Sequence, residues 1–108
     1  MNQVTLQGRM GRDPEFTETA SGAIMARLEV ATNARGKTDW HRVVLWDKAA
    51  EIARYLKRGD PVFIQGRLQS RRVGERLDTE IVGWTIFPLK GRDETVADDD
   101  LEDDHDRD

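Results

Sequence analysis

The chain has 108 residues, enough for one domain core and too few for two. It contains no cysteine, which excludes disulfides, thiol catalysis and cysteine-bound zinc and suits a reducing compartment. The net charge of −4 hides a split: residues 1–92 hold 16 of the 17 Lys and Arg and 11 of the 21 acids, a net +5, whereas residues 93–108 hold one arginine and ten acids, a net −9.

Nine glycines, three prolines and 37% apolar residues fit a small, turn-rich β domain, and a charged fraction of 35% requires an extensive wet surface. The start, Met1 to Gly8, holds no apolar run long enough for a signal peptide, and no later stretch could span a bilayer. A cytoplasmic protein without membrane contact is expected.

Taken in chain order, apolar and polar residues alternate at the two-residue period of a half-buried strand. Val4, Leu6 and Gly8 face inward in the first strand, and Ile24, Ala26, Leu28 and Val30 in the second, where Met25, Arg27 and Glu29 face out. The third strand runs from Asp39 to Trp46. A helix follows, with Asp47 as N-cap, Ala49, Ile52, Ala53 and Leu56 on its buried face, Lys57 and Arg58 in its last turn and Gly59 behind it. Pro61 blocks any continuation. The fourth strand, Pro61 to Gln69, turns Val62, Ile64, Gly66 and Leu68 inward. The fifth spans Arg76 to Phe87, with Gly83 marking a bulge or bend.

This order is that of the OB-fold, a five-stranded Greek-key β-barrel with one helix between strands three and four. Residues 1–92 form the domain. Basic loops, Asn33 to Lys37 and Ser70 to Glu75, join strands two to three and four to five. From residue 93 periodicity is lost and an acidic, disordered tail is expected.

The third strand carries the chemistry. Trp40, Arg42, Val44 and Trp46 share one parity, while His41, Val43 and Leu45 take the other. Six residues at roughly 3.3 Å each set the indoles about 20 Å apart. Base-on-indole stacking is worth about 1–3 kcal/mol per base and tolerates any base, because every base has a π-face. The competing reading puts an indole in the core or a subunit interface, but Val43 and Leu45 already fill the inward parity. Around the outward one stand Arg27, Arg35, Lys37, Arg42, Lys48, Arg67, Arg71, Arg72 and Arg76. A basic face with interleaved aromatics is the pattern of a single-strand groove.

Three motifs are also familiar. Leu6 to Glu15 (LQGRMGRDPE), Asp39 to Lys48 (DWHRVVLWDK) and Tyr55 to Leu68 (YLKRGDPVFIQGRL) resemble, in order and spacing, the first, third and fourth strands of bacterial single-stranded DNA-binding proteins. The resemblance covers about residues 1–82. It implies base stacking by Trp40 and Trp46 and backbone contacts by Lys48, Arg58, Arg71, Arg72 and Arg76. It places His41 and Phe63 at a subunit interface, and implies a homotetramer acting in replication, recombination or repair near the nucleoid. No cofactor or metal is implied.

Val73 stands where relatives often have another stacking tryptophan, and Trp84 falls outside the match, with a core or interface role expected. The family's tail commonly ends in apolar residues that dock replication and repair proteins; this one ends Asp106-Arg107-Asp108. Its expected role is electrostatic competition for the basic groove. Truncation at residue 92 should then tighten DNA binding, most at low salt; an unchanged low-salt affinity sinks the idea.

Other function classes fit less well. With two histidines, one of them His105 in the tail, no nucleophile–histidine–acid set can be assembled. Gly8 to Gly11 is no phosphate loop, and the aspartate cluster lacks the order of a calcium loop. An OB-fold serving only protein assembly, or a primosome-type relative, would not need Trp40, Arg42 and Trp46 beside basic loops. A cold-shock-type RNA binder would carry phenylalanines on strands two and three.

Overall fold

In the computed structural model, which describes residues 1–89, the alternating stretches become the strands of one closed sheet. The strands are β1 (Val4–Met10), β2 (Glu15–Glu18), β3 (Ile24–Ala34), β4 (Lys37–Trp46), β5 (Pro61–Val73) and β6 (Arg76–Pro88), with helix α1 (Asp47–Ile52) between β4 and β5. The hydrogen-bonded order is β1-β5-β6-β4-β3-β2, and β1 also pairs with β3 at Arg9↔Ala31 and Met10↔Val30. That second pairing closes a five-stranded barrel and leaves β2 as a short flap on the edge of β3. The β4–β6 pair is parallel, the long-range connection of the Greek key.

Parity decides the core. Ala26, Leu28, Val30, Val43, Leu45, Val62 and Ile64 are each at most 2% exposed and meet inside the barrel. Their removal from water at roughly 25 cal/mol per Å² is what holds the closed sheet together. Leu68, expected inside, is 46% exposed, because β5 has by then run past the end of the barrel into a free ribbon.

The connections differ most from expectation. Neither basic segment is an open loop. Residues 33–37 form the end of the β3–β4 hairpin, closed by Arg35 (φ 55) and Gly36 (φ 79), both left-handed as a type I′ turn requires. Residues 70–75 are likewise strand ends around Gly74 (φ 66), with Ser70 paired to Thr79 and Val73 to Arg76. Paired arms of alternating polar residues carry no buried stripe, so nothing in their pattern separates strand from loop.

The helix is shorter than its start and stop signals suggest. It ends at Ile52 and tightens into a 3₁₀ turn over Ala53–Tyr55. Asp47 does not cap it: the residue lies inside the first turn at φ 48, and its Oδ1 accepts a hydrogen bond from the Ile24 N–H at 3.4 Å. Ala50 takes the buried position foreseen for Ile52, which is 38% exposed. Lys57 and Arg58 lie beyond the helix, in a turn from Lys57 to Asp60 with Gly59 at φ 90. Asp60 is 7% exposed and accepts the Lys57 N–H on Oδ2 at 2.9 Å, which fixes the entry to β5.

Gly83 does mark a bulge. Gln65 pairs with Thr85 and Gly66 with Gly83, so Trp84 is the extra residue of β6. The expected acidic tail over 93–108, and the domain boundary at 92, lie outside the described residues.

Candidate nucleic-acid interface

The outward parity of β3 and β4 forms the face of interest. Its cross-strand pairs are Met25↔Trp46, Arg27↔Val44, Glu29↔Arg42 and Ala31↔Trp40. Trp40 is 61% exposed and Trp46 41%, so neither indole is spent on the core. Beyond β4 the same face continues across β6 and β5, where Val44 pairs with Val82 and Val82 with Arg67.

Trp40 has a specific seat. A Cβ built on Gly11 would lie 2.3 Å from Cζ3 of the indole and 3.3 Å from Cη2. The edge of the indole's six-membered ring therefore abuts the bare backbone of the turn after β1. Backbone N–H donors fix that turn. The Gly11 N–H donates to the Glu29 carbonyl at 2.7 Å, the Arg58 N–H to Asp13 Oδ1 at 2.8 Å, and the Met10 N–H to the Asp60 carbonyl at 2.9 Å. Gly11 thus works as a rigid stop against the edge of the indole, a role its sequence motif alone did not disclose.

The basic residues divide by parity. Arg27, Arg42, Arg67 and Arg71 share the face of the two indoles, and Arg76 follows them at the start of β6. Arg72, paired with Leu77, points to the opposite side of the β5–β6 ribbon. Arg35 caps the β3–β4 turn, and Lys37, one residue past Gly36, takes the parity of His41 rather than that of Trp40. Lys48 is exposed in the first turn of α1, two residues after Trp46. Arg58 stands apart on the loop leading to β5. The basic residues therefore do not make one continuous stripe beside the indoles.

Carboxylates interleave with them. A cleft of about 210 Å³ between the strands is lined by Arg12, Glu15, Arg27, Glu29, Arg42, Arg71 and Glu80. Arg12, which sequence reading passed over, reaches Glu15 at 3.7 Å and Glu29 at 3.8 Å; Arg76 pairs with Asp78 at 3.3 Å. The Arg12 pairs are exposed and Asp78 is half-buried; pairs this open to water are worth little and readily exchanged for a phosphate. A smaller cleft of about 130 Å³ opens beside Trp40, bounded by His41, Arg42, Leu68 and Thr79. The alternation of Glu29 with Arg27, and of Glu80 with Asp78, was visible in the sequence; only the register shows that they stand among the arginines.

His41 is half-buried, with Nε2 2.9 Å from Thr32 Oγ1 across the hairpin. Phe63 lies on the outer side of β5, half-buried, its ring 6.1 Å from that of Phe87. Trp84, expected in the core or an interface, is 54% exposed and so lies outside the core of this chain. Among the described residues no cluster of three or more His, Cys, Asp or Glu is placed to hold a metal, and no helix is long and apolar enough to cross a membrane.

Two comparisons agree with this geometry. The sequence profile of the Single-strand binding protein family matches residues 1–83, the barrel into the middle of its last strand. Single-stranded DNA-binding protein 1 of Chlorobaculum tepidum is 39% identical over 109 aligned residues, covering 86% of this chain and 67% of that protein. With the barrel, the indole-bearing strand and the motifs in their places, this chain belongs to the single-strand binding protein family.

Proposed function

We propose that this protein binds single-stranded DNA without reading its sequence, protecting exposed strands in replication, recombination or repair. One observation carries the reading. Two part-exposed indoles on one strand, Trp40 and Trp46, share a face with Arg27, Arg42, Arg67 and Arg71. Unpaired bases have free π-faces to stack on those rings; bases in a duplex are already stacked on one another. The guanidinium groups, with Arg35, Lys37, Lys48, Arg58, Arg72 and Arg76 around them, supply phosphate contacts that follow the backbone whatever the sequence.

Binding alone is the proposed activity, with no catalytic step, cofactor or metal. We extend the proposal to a homo-oligomer, a tetramer, with His41 and Phe63 at subunit contacts. The Phe63–Phe87 ring pair on the outer sheet face supports that extension. Replication or repair proteins are the proposed further partners, in the cytoplasm at the nucleoid.

Titration with oligo(dT), read by tryptophan fluorescence beside a duplex control, tests the proposal. Strong quenching by the single strand alone is expected. If each barrel neutralises about four to six phosphates, log affinity falls against log salt with a slope of roughly −3 to −4. The interleaved carboxylates favour the shallow end of that range. No quenching and no binding at low salt would hand the indoles to protein assembly instead.

A further inference from the structure

Trp84 is the bulged residue of β6, and its direction is fixed by its neighbours. A Cβ on Gly83 would point into the core, 2.7 Å from Leu45 Cδ2 and 3.2 Å from Ile64 Cγ2. The residues on either side, Val82 and Trp84, therefore face outward. Thr85 pairs with the outward Gln65, so the bulge turns two successive residues to the same side. Ile86 then returns to the core at 3% exposure.

The parallel register sets where on the outside Trp84 lies. Val44 stands beside Val82 and Leu45 beside Gly83; one residue further along the two strands are Trp46 and Trp84. Trp46 is still extended (φ −123, ψ 146), so it and Trp84 follow directly on the last paired residues of neighbouring strands. Arg67, paired with Val82, brings a cation to the same face.

We propose that Trp84 is a third base-stacking residue, which extends the platform sideways from Trp46 onto β6. The inference rests on the single-strand-binding reading above. It also gives the bound strand a direction. The row of β4 ends at Trp46, because the chain turns into α1 at Asp47. A strand laid along Trp40 and Trp46 therefore steps across to β6 and leaves the barrel past Trp84 and Arg67. An indole left 54% exposed among the described residues carries a large apolar surface; the single strand is the occupant that matches the adjoining indole and guanidinium.

The test uses the full-length protein with oligo(dT). In a Trp40→Phe/Trp46→Phe variant Trp84 is the only indole, and saturating oligonucleotide should quench it. Trp84→Ala should weaken binding about 5-fold or more, with Trp40 and Trp46 still quenched, and Trp84→Phe should recover most of the loss. An unquenched Trp84 with Trp84→Ala binding within twofold of wild type overturns the inference, while quenching of Trp40 and Trp46 in that same variant leaves the DNA reading standing. A fall in sedimentation mass of Trp84→Ala before DNA is added also overturns it, making this face a contact between copies.

Discussion

Trp40→Ala binds oligo(dT) about 5- to 150-fold more weakly than the wild type, because one stacked base is worth about 1–3 kcal/mol. Trp46→Ala loses affinity in the same direction. Trp40 has the larger expected effect: it is the more exposed ring, 61% against 41%, and Gly11 already holds it in one orientation. A ring that is pre-set loses little freedom when a base arrives, so more of the stacking energy appears as affinity. Fold stability should barely move, since both side chains lie outside the core. Gly11→Ala checks the seat. Its new methyl overlaps the far edge of the indole, so Trp40 must tilt, its emission must shift and affinity must fall. In a Trp40→Phe background the same alanine should cost little, because the smaller ring lacks the overlapped atoms. Filter binding and fluorescence titration read all four variants; Trp40→Ala binding within twofold of wild type, with its melting temperature kept, would falsify the stacking mechanism.

What could be read from the sequence, and what could not, follows from where burial imposes a pattern. Ile24, Ala26, Leu28 and Val30 alternate because one side of their strand is dry, and the outward direction of Trp40, Arg42 and Trp46 follows from the same logic on β4. The hairpin arms have no dry side, so Asn33 to Lys37 and Ser70 to Glu75 passed for loops although they are paired nearly to their tips. The flap β2 escaped notice for the same reason: all four of its residues are exposed. The signal that a capping aspartate precedes a helix was present at Asp47, but the bond went instead to the Ile24 N–H, a tertiary contact 23 residues away that local spacing does not encode. The site was legible as residue types and parity. Its mixed charge was not, since that depends on Glu29 facing Arg42 across β3–β4 and on Glu80 lining the same cleft.

The second large effect is on the fold itself. Gly66→Ala should lower the melting temperature by about 10–20 °C, and the reason is a contact between backbones. An added Cβ at Gly66 would lie 2.2 Å from the Val82 carbonyl oxygen and 2.7 Å from Gly83 Cα. Neither atom can rotate away, because both belong to the β5–β6 ladder next to the bulge. In open space a glycine-to-alanine change stabilises by about 0.4–1 kcal/mol through the unfolded chain. Forcing an extra carbon into a filled site costs typically about 1–3 kcal/mol, occasionally more. The clash is with backbone, so the upper end applies and the sign is destabilising. Each kcal/mol moves the midpoint by roughly 4–8 °C in a domain of this size, which gives the stated range. Gly36→Asn is the contrasting case: Gly36 has φ 79 but nothing within 4 Å of its Cβ position, and asparagine tolerates that backbone. It should melt within a few degrees of wild type. The same crowding bears on binding, because the Gly66–Gly83 pair sets the bulge that turns Trp84 outward. Thermal unfolding by circular dichroism decides the matter: a Gly66→Ala midpoint within about 3 °C of wild type would mean that the two strands slide apart at less than about 0.8 kcal/mol.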